Sequence, residues 1–246
     1  MTDFNANFNY SETERALVVQ LAQCAREAPM PDAELLMNLL LYIRRQDISH
    51  VLYMNHLYKQ VLNTHGSILE FGVRWGRSLA MWLHLRGTHE GYNHNRKIVG
   101  FDTFEGFPSV SEQDAGATPG GFSVVENWDT HLDNVLKAHE LNSPIHHMKK
   151  FELVKGDILE THPTYLGQHP ETLISPCHLD LDIYTPTKFV LDTIPEYMNA
   201  GGIVAFDELN CEKWPGETQA FRESIYRHYK VRRTKYSPTQ SYVVVG

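Results

Sequence analysis

Cysteine is scarce in this chain. Three residues, Cys24, Cys177 and Cys211, are spread over 246 positions, too few and too scattered for a disulfide framework or a cysteine-based zinc site, and compatible with a reducing cytoplasm. Runs of basic residues are also missing. With 22 Lys and Arg against 30 Asp and Glu the formal charge is −8, which argues against a nucleic-acid backbone or an anionic membrane as partner and favours a small molecule. No stretch approaches the ~18 uninterrupted apolar residues of a membrane span, and the first residues are polar and acidic rather than signal-like, so the expected location is cytoplasmic. The 14 histidines form no H-E-x-x-H pattern and are expected at the surface.

What is present suits an α/β domain. An apolar fraction of 42% over this length is enough for one full core with an appendage. The chain is organised around residues 67 to 78. Ile68, Leu69 and Phe71 make a short apolar run that ends in a glycine turn, and Leu79, Ala80, Trp82 and Leu83 then follow at helical spacing, which reads as strand, tight turn, helix. Gly72 and Gly76 are expected to let the backbone approach a bound molecule, with the helix N-terminus aimed at it. The pattern is Glu70-x-Gly72-x-x-x-Gly76, with one glycine fewer than a dinucleotide fingerprint and an acid in front. A glycine turn of any α/β protein would share these residues. The next strand, 97 to 102, ends in Asp102, a carboxylate suited to both ribose hydroxyls of an adenosine cofactor.

Ahead of this core, residues 1–65 read as helices. Ser11 with Glu14 forms a capping box before Leu17, Val18, Leu21 and Ala25. Asp32 is expected to cap a second helix and Ser49 a third. The segment could serve packing or a homo-oligomer contact. After Asp102, a glycine-rich passage of about 103–128 holds Gly116, Gly120 and Gly121 as hinges and Phe104, Phe107, Phe122 and Trp128 as apolar contacts; it reads as a lid or as a plain surface insertion. A helix from about 129 to 141 leads to a third strand closed by Gly156 and Asp157.

Candidate chemistry lies further on. Asp180 and Asp182 share one side if the fourth strand continues through them, and Thr185 with Pro186 is expected to start a helix running to Gly201. The fifth strand ends in Asp207 and Glu208. Four carboxylates in one crevice raise one another's pKa values, and a hard divalent cation such as Mg²⁺ relieves them. Helix capping by Asp180 and Asp182, with Asp207 and Glu208 leading into a loop, is the plainer reading. The chain ends in two β-rich segments, 230–236 and 240–245, read as a hairpin.

Residues 70 to 76 resemble motif I of the class I S-adenosylmethionine methyltransferases. Together with Gly100 to Pro108, Leu179 to Thr187 and Phe206 to Glu217, they resemble the macrocin O-methyltransferase (TylF-type) family, over about residue 66 to the C-terminus. The resemblance implies a Rossmann-like sheet, mostly parallel with a C-terminal antiparallel hairpin, in a methyltransferase domain over 66–246. It implies S-adenosylmethionine contacts at Glu70, Phe71, Gly72, Gly76, Ser78, Asp102, Thr103, Phe104 and, on the adenine side, Asp157. It implies Mg²⁺ ligands at Asp180, Asp207 and Glu208, with Asp182 as general base, though the roles of Asp180 and Asp182 are exchangeable. The acceptor implied is a sugar hydroxyl. Asp-Glu stands here where many relatives have Asp-Asp. A nucleotide-dependent oxidoreductase and a non-catalytic cofactor-binding module are the alternatives.

Overall fold

Alternation of apolar side chains decides the layers. In β1 (Ser67–Phe71), Ile68 belongs to one core cluster while Leu69 and Phe71 belong to the other, as a period of two requires. The structure is a computed structural model and describes residues 11–246. The remaining strands are β2 (Ile98–Asp102), β3 (Phe151–Lys155), β4 (Ile174–Leu179), β5 (Ile203–Phe206), β6 (Arg232–Arg233) and β7 (Ser241–Val244). Their order is β3-β2-β1-β4-β5-β7-β6. All pairings are parallel except those of β7, which runs antiparallel between β5 and β6. The terminal hairpin and the mostly parallel sheet are as the sequence indicates.

Helices cover both faces. Tyr53, Met54 and Leu57 of α3 (Arg45–Gln60), Leu79 and Trp82 of α4 (Arg77–His89) and Leu132 and Leu136 of α5 (Trp128–Leu141) join Ile68, Ile98 and Ile203 in one cluster. Tyr165 and Leu166 of α6 (Ile158–Gln168), Val190 and Leu191 of α7 (Tyr184–Thr193) and Ala220 of α8 (Pro215–Arg222) join Leu69, Val99, Leu179 and Phe206 in the other. Burial of each such side chain is worth about 1.5–3 kcal/mol, more than the net ~1 kcal/mol of a typical hydrogen bond. The two apolar layers therefore dominate. Arg96, 2% exposed, ties the α3–β1 connection to β4 by donating to the carbonyls of Val61, Thr64, Gly66 and Ser175.

The chain divides into two compact units between Leu52 and Tyr53. In the first, α1 (Glu12–Arg26) starts with the expected capping box, Ser11 Oγ accepting from Glu14 N–H and Glu14 Oε2 from Ser11 N–H. The cap of α2 (Asp32–Met37) is Pro31, not Asp32. The third helix begins at Arg45, four residues before the expected Ser49, because Asp47 accepts the Arg44 N–H at 2.9 Å and pairs with its guanidinium. Neither α1 nor α2 contains a buried residue, and Leu36, Met37, Leu40 and Leu41 are exposed. No helix among the described residues is long and apolar enough to cross a membrane.

Two further expectations are corrected. The helix after the fourth strand ends at Thr193, well short of Gly201, since Ile194 to Glu196 tighten into a 3₁₀ turn around Pro195. The histidines are not all superficial: His162 and His178 are fully buried. His162 packs edge-on against Phe71 and Phe101, which accept an imidazole as an aromatic filler.

Candidate active site

The strand order reverses between β1 and β4, where open α/β sheets leave a crevice at their carboxyl ends. Phe71, Asp102, Leu179 and Phe206 are the last residues of the four strands there. The glycine turn after β1 also packs tightly against the chain itself. Gly72 has φ +90°, and a Cβ on it would lie 1.8 Å from the carbonyl oxygen of Asp180. Gly76, φ +82°, would clash with Leu132 at 2.4 Å. Both glycines serve close packing of the chain on itself, so the turn holds the acidic segment directly against β1.

The other residues of the cradle are equally engaged. Asp102 Oδ2 accepts the N–H groups of Val73 and Arg74 at 2.7 and 2.8 Å, and Oδ1 accepts that of Phe104 at 2.5 Å. A carboxylate offers about four acceptor positions, so capacity for one ribose hydroxyl remains. Thr103 Oγ1 donates to Gly106 C=O. The side chains of Phe71 and Phe104 lie in the core. Glu70 is fully buried, its carboxylate 3.5 Å from His178 Nδ1, and burial raises its pKa against the opposing pull of His178. Ser78 is buried in the first turn of α4. Asp157 caps α6, with Oδ1 accepting from Leu159 N–H at 2.9 Å.

The acids do converge. Asp180, Asp207 and Glu208 each offer an oxygen, and these lie within 4.8 Å of one another. Asp180 and Asp182 lie beyond β4, which ends at Leu179, so strand alternation is not what brings them together. Asp180 is fixed by its N–H on Phe71 C=O at 2.9 Å, and Asp182 turns with φ +61°, a conformation that L residues other than Asn and Asp adopt rarely. Gln240, from the approach to β7, donates to Asp207.

Burial is the first cause that pushes Asp180, Asp182, Glu208 and Glu217 upward, and the charge of Asp207 is the second; Asp182 is pushed up to about 7. Like charges this close disfavour full ionisation. Glu208 Oε2 and Glu217 Oε2 are buried with no hydrogen-bond partner among the described residues. An all-carboxylate set with orphaned buried oxygens fits a hard divalent cation.

Glu217 was not among the expected site residues. It is fully buried, and its Oε1 accepts the Glu208 N–H at 3.1 Å. Its place after Trp214, Pro215 and Gly216 marks a helix start but carries no sign of burial. Arg74 carries no sequence signal of a role either: its guanidinium lies 4.5 Å over the Phe122 ring, with the charges of Asp182, Asp180 and Asp102 acting on it. Phe107, Phe122 and Trp214 form one aromatic group, so the 103–127 connection meets the segment before α8. Thr185 is not the cap of α7, which starts one residue earlier with Ile183 in the cap position.

A seven-stranded sheet of this order, with a glycine cradle after β1, an acid at the tip of β2 and carboxylates after β4 and β5, defines a class I S-adenosylmethionine-dependent methyltransferase. No protein-family model matches the chain, and no curated protein matches it. Among solved structures, the calicheamicin methyltransferase CalS11 superposes with a TM-score of 0.94 at 41% identity, covering 100% of this chain and 98% of that one. The apo form of CalS11, a TDP-rhamnose 3'-O-methyltransferase of calicheamicin biosynthesis, gives 0.87 at 39% identity and covers 97% of each chain. The O-methyltransferase NovP shares the fold, with a TM-score of 0.61 at 16% identity over 80% of each chain. The chain belongs to the TylF-type family of S-adenosylmethionine-dependent O-methyltransferases.

Proposed function

We propose that the protein methylates a hydroxyl of a nucleotide-linked sugar, with Asp180, Asp207 and Glu208 holding Mg²⁺ or another hard divalent cation and Asp182 acting as general base. The observation that carries this reading is the three-carboxylate cluster at the end of β4 and β5, its oxygens within 4.8 Å of one another, in a chain 41% identical to a sugar-pathway methyltransferase. The nucleotide-linked acceptor rests on CalS11, which acts on TDP-rhamnose. Glu70, Gly72, Gly76, Ser78, Asp102 and Asp157 border the cofactor side of the crevice in this reading.

When bound, S-adenosylmethionine supplies an electrophilic sulfonium methyl, and the cation supplies positive charge that lowers the pKa of an acceptor hydroxyl. The chain's own residues do the rest. Asp182 takes the hydroxyl proton as the new C–O bond forms and the S–C bond breaks. The β1 turn, pressed against Asp180, sets the distance between cofactor cradle and acids, and orientation of this kind is a large part of any bimolecular rate gain. The 103–127 connection, in the role of a lid, excludes water through Phe107 and Phe122, packed on Trp214.

The test is methyl transfer from S-adenosylmethionine to a panel of nucleoside-diphosphate sugars, with Mg²⁺ and with EDTA. Cation-dependent methylation of one of them, retained affinity for S-adenosylhomocysteine in EDTA and a large loss of turnover in Asp182→Asn are expected. Full activity in EDTA after stripping would remove the cation; unchanged turnover in Asp182→Asn would remove the base.

A further inference from the structure

The first N–H of α7 is satisfied from far away. Ile183, in the cap position, has no side-chain oxygen, and the acceptor for the Tyr184 N–H is Asp114 Oδ1, 2.6 Å away and 70 residues earlier in the chain. The other oxygen, Oδ2, accepts both the N–H and the hydroxyl of Ser111, at 2.8 and 2.5 Å. One carboxylate therefore holds the 103–127 connection with one oxygen and the acidic segment with the other. It is 5% exposed, and charge-assisted bonds of this kind are roughly twice as strong as neutral ones.

A third segment closes over the contact. A Cβ on Gly216 would lie 2.2 Å from Asp114 Oδ1 and 2.6 Å from Tyr184 N, so the first turn of α8 seats against this bond only because the residue is glycine. The next residue, Glu217, bonds the backbone of Glu208. Three separate stretches, two of them carrying acids of the cluster, thus meet at Asp114.

What the contact fixes is the turn that carries the proposed base. Upstream, Asp180 N–H is held by Phe71 C=O. Between the two anchors Asp182 has φ +61° and Ile183 N–H folds back onto Leu181 C=O at 2.6 Å. A turn in a sparsely populated conformation persists only when its surroundings over-determine it. The downstream anchor belongs to another segment. The Tyr184 hydroxyl on Glu223, at 2.6 Å, is an exposed side-chain contact and leaves the backbone N–H to Asp114.

We propose that Asp114 is a positioning residue, through which the seating of the 103–127 connection sets the geometry of Asp182 and Asp180. This rests on the methyltransferase reading for its catalytic consequence, but not for its structural one. Amide hydrogen exchange and turnover are therefore measured on the same variants of the full chain, with and without S-adenosylhomocysteine and Mg²⁺. In Asp114→Ala, amides in 180–184 exchange about tenfold faster or more, the usual loss for one charge-assisted bond. Turnover falls roughly 10- to 100-fold, as for a misplaced reacting group, with the acceptor KM little changed. Ser111→Ala, which leaves the Tyr184 bond in place, keeps 180–184 protected and turnover near that of the parent protein.

Should Asp114→Ala not fold, Asp114→Asn keeps the shape and removes the charge, and intermediate exchange in 180–184 is expected. Wild-type protection of 180–184 in these variants, with loosening confined to 103–127, overturns the proposal. So does Ser111→Ala matching Asp114→Ala in both readouts. If no acceptor is methylated by the parent protein, faster exchange in 180–184 still supports the anchor while the proposed activity fails separately.

Discussion

The Glu217 carboxylate accepts the backbone N–H of Glu208 at 3.1 Å from a fully buried position. One buried carboxyl group thus holds the backbone of a second, and ionisation of either opposes ionisation of the other. The bond positions Glu208 and adds to the crowding that favours a cation. Replacing Glu217 by Ala leaves the Glu208 N–H without its acceptor and is expected to cost about 1–3 kcal/mol. Glu217→Gln keeps an acceptor oxygen and retains most of the stability. Urea unfolding of both variants without added cation checks this, and equal destabilisation of the two would show that the bond is not what matters.

Cation binding is expected to release protons. Burial and Asp207 hold the pKa values of Asp180, Asp182, Glu208 and Glu217 up, so the cluster retains protons that a divalent ion must displace. Affinity for Mg²⁺ therefore rises with pH. Calorimetric titrations in buffers of different ionisation enthalpy give the proton count. Asp180→Ala abolishes the cation-induced rise in Tm while leaving S-adenosylhomocysteine affinity within a few-fold; a variant that keeps the full rise would exclude Asp180 as a ligand.

Gly72→Ala is expected to destabilise by at least about 2 kcal/mol, because the backbone is left-handed and the new methyl meets the Asp180 carbonyl at 1.8 Å. Gly167→Ala makes the opposite comparison. It lies inside α6 with nothing within 4 Å of a Cβ, so the same substitution stabilises by about 0.5–1 kcal/mol. Chemical denaturation of the pair measures both signs.

His162 gives a pH dependence of stability. Burial lowers its pKa to about 4 in the folded protein, from 6.5 when exposed. Between these values the unfolded chain binds the extra proton, so stability falls as pH drops from about 6.5 towards 4, by on the order of 3 kcal/mol in total. His162→Leu removes this slope from the parent's stability profile. Identical pH profiles for parent and variant would refute it.

Sequence alone determined a good deal. Local rules are short-ranged, so the apolar alternation in 67–71, the capping box at Ser11 and Glu14 and the acids after β4 and β5 were legible from neighbouring residues. The resemblance of four separated segments to one family indicated the sheet and its terminal hairpin. Tertiary structure decided what depends on contacts between distant residues. Gly72 and Gly76 make room for Asp180 and Leu132. Asp182 leaves the strand for a left-handed turn. Glu217 disappears into the acid cluster, and the cap of α7 comes from Asp114, not from Thr185. Each is a matter of which groups desolvate together, and a residue's own neighbours in sequence do not carry that information.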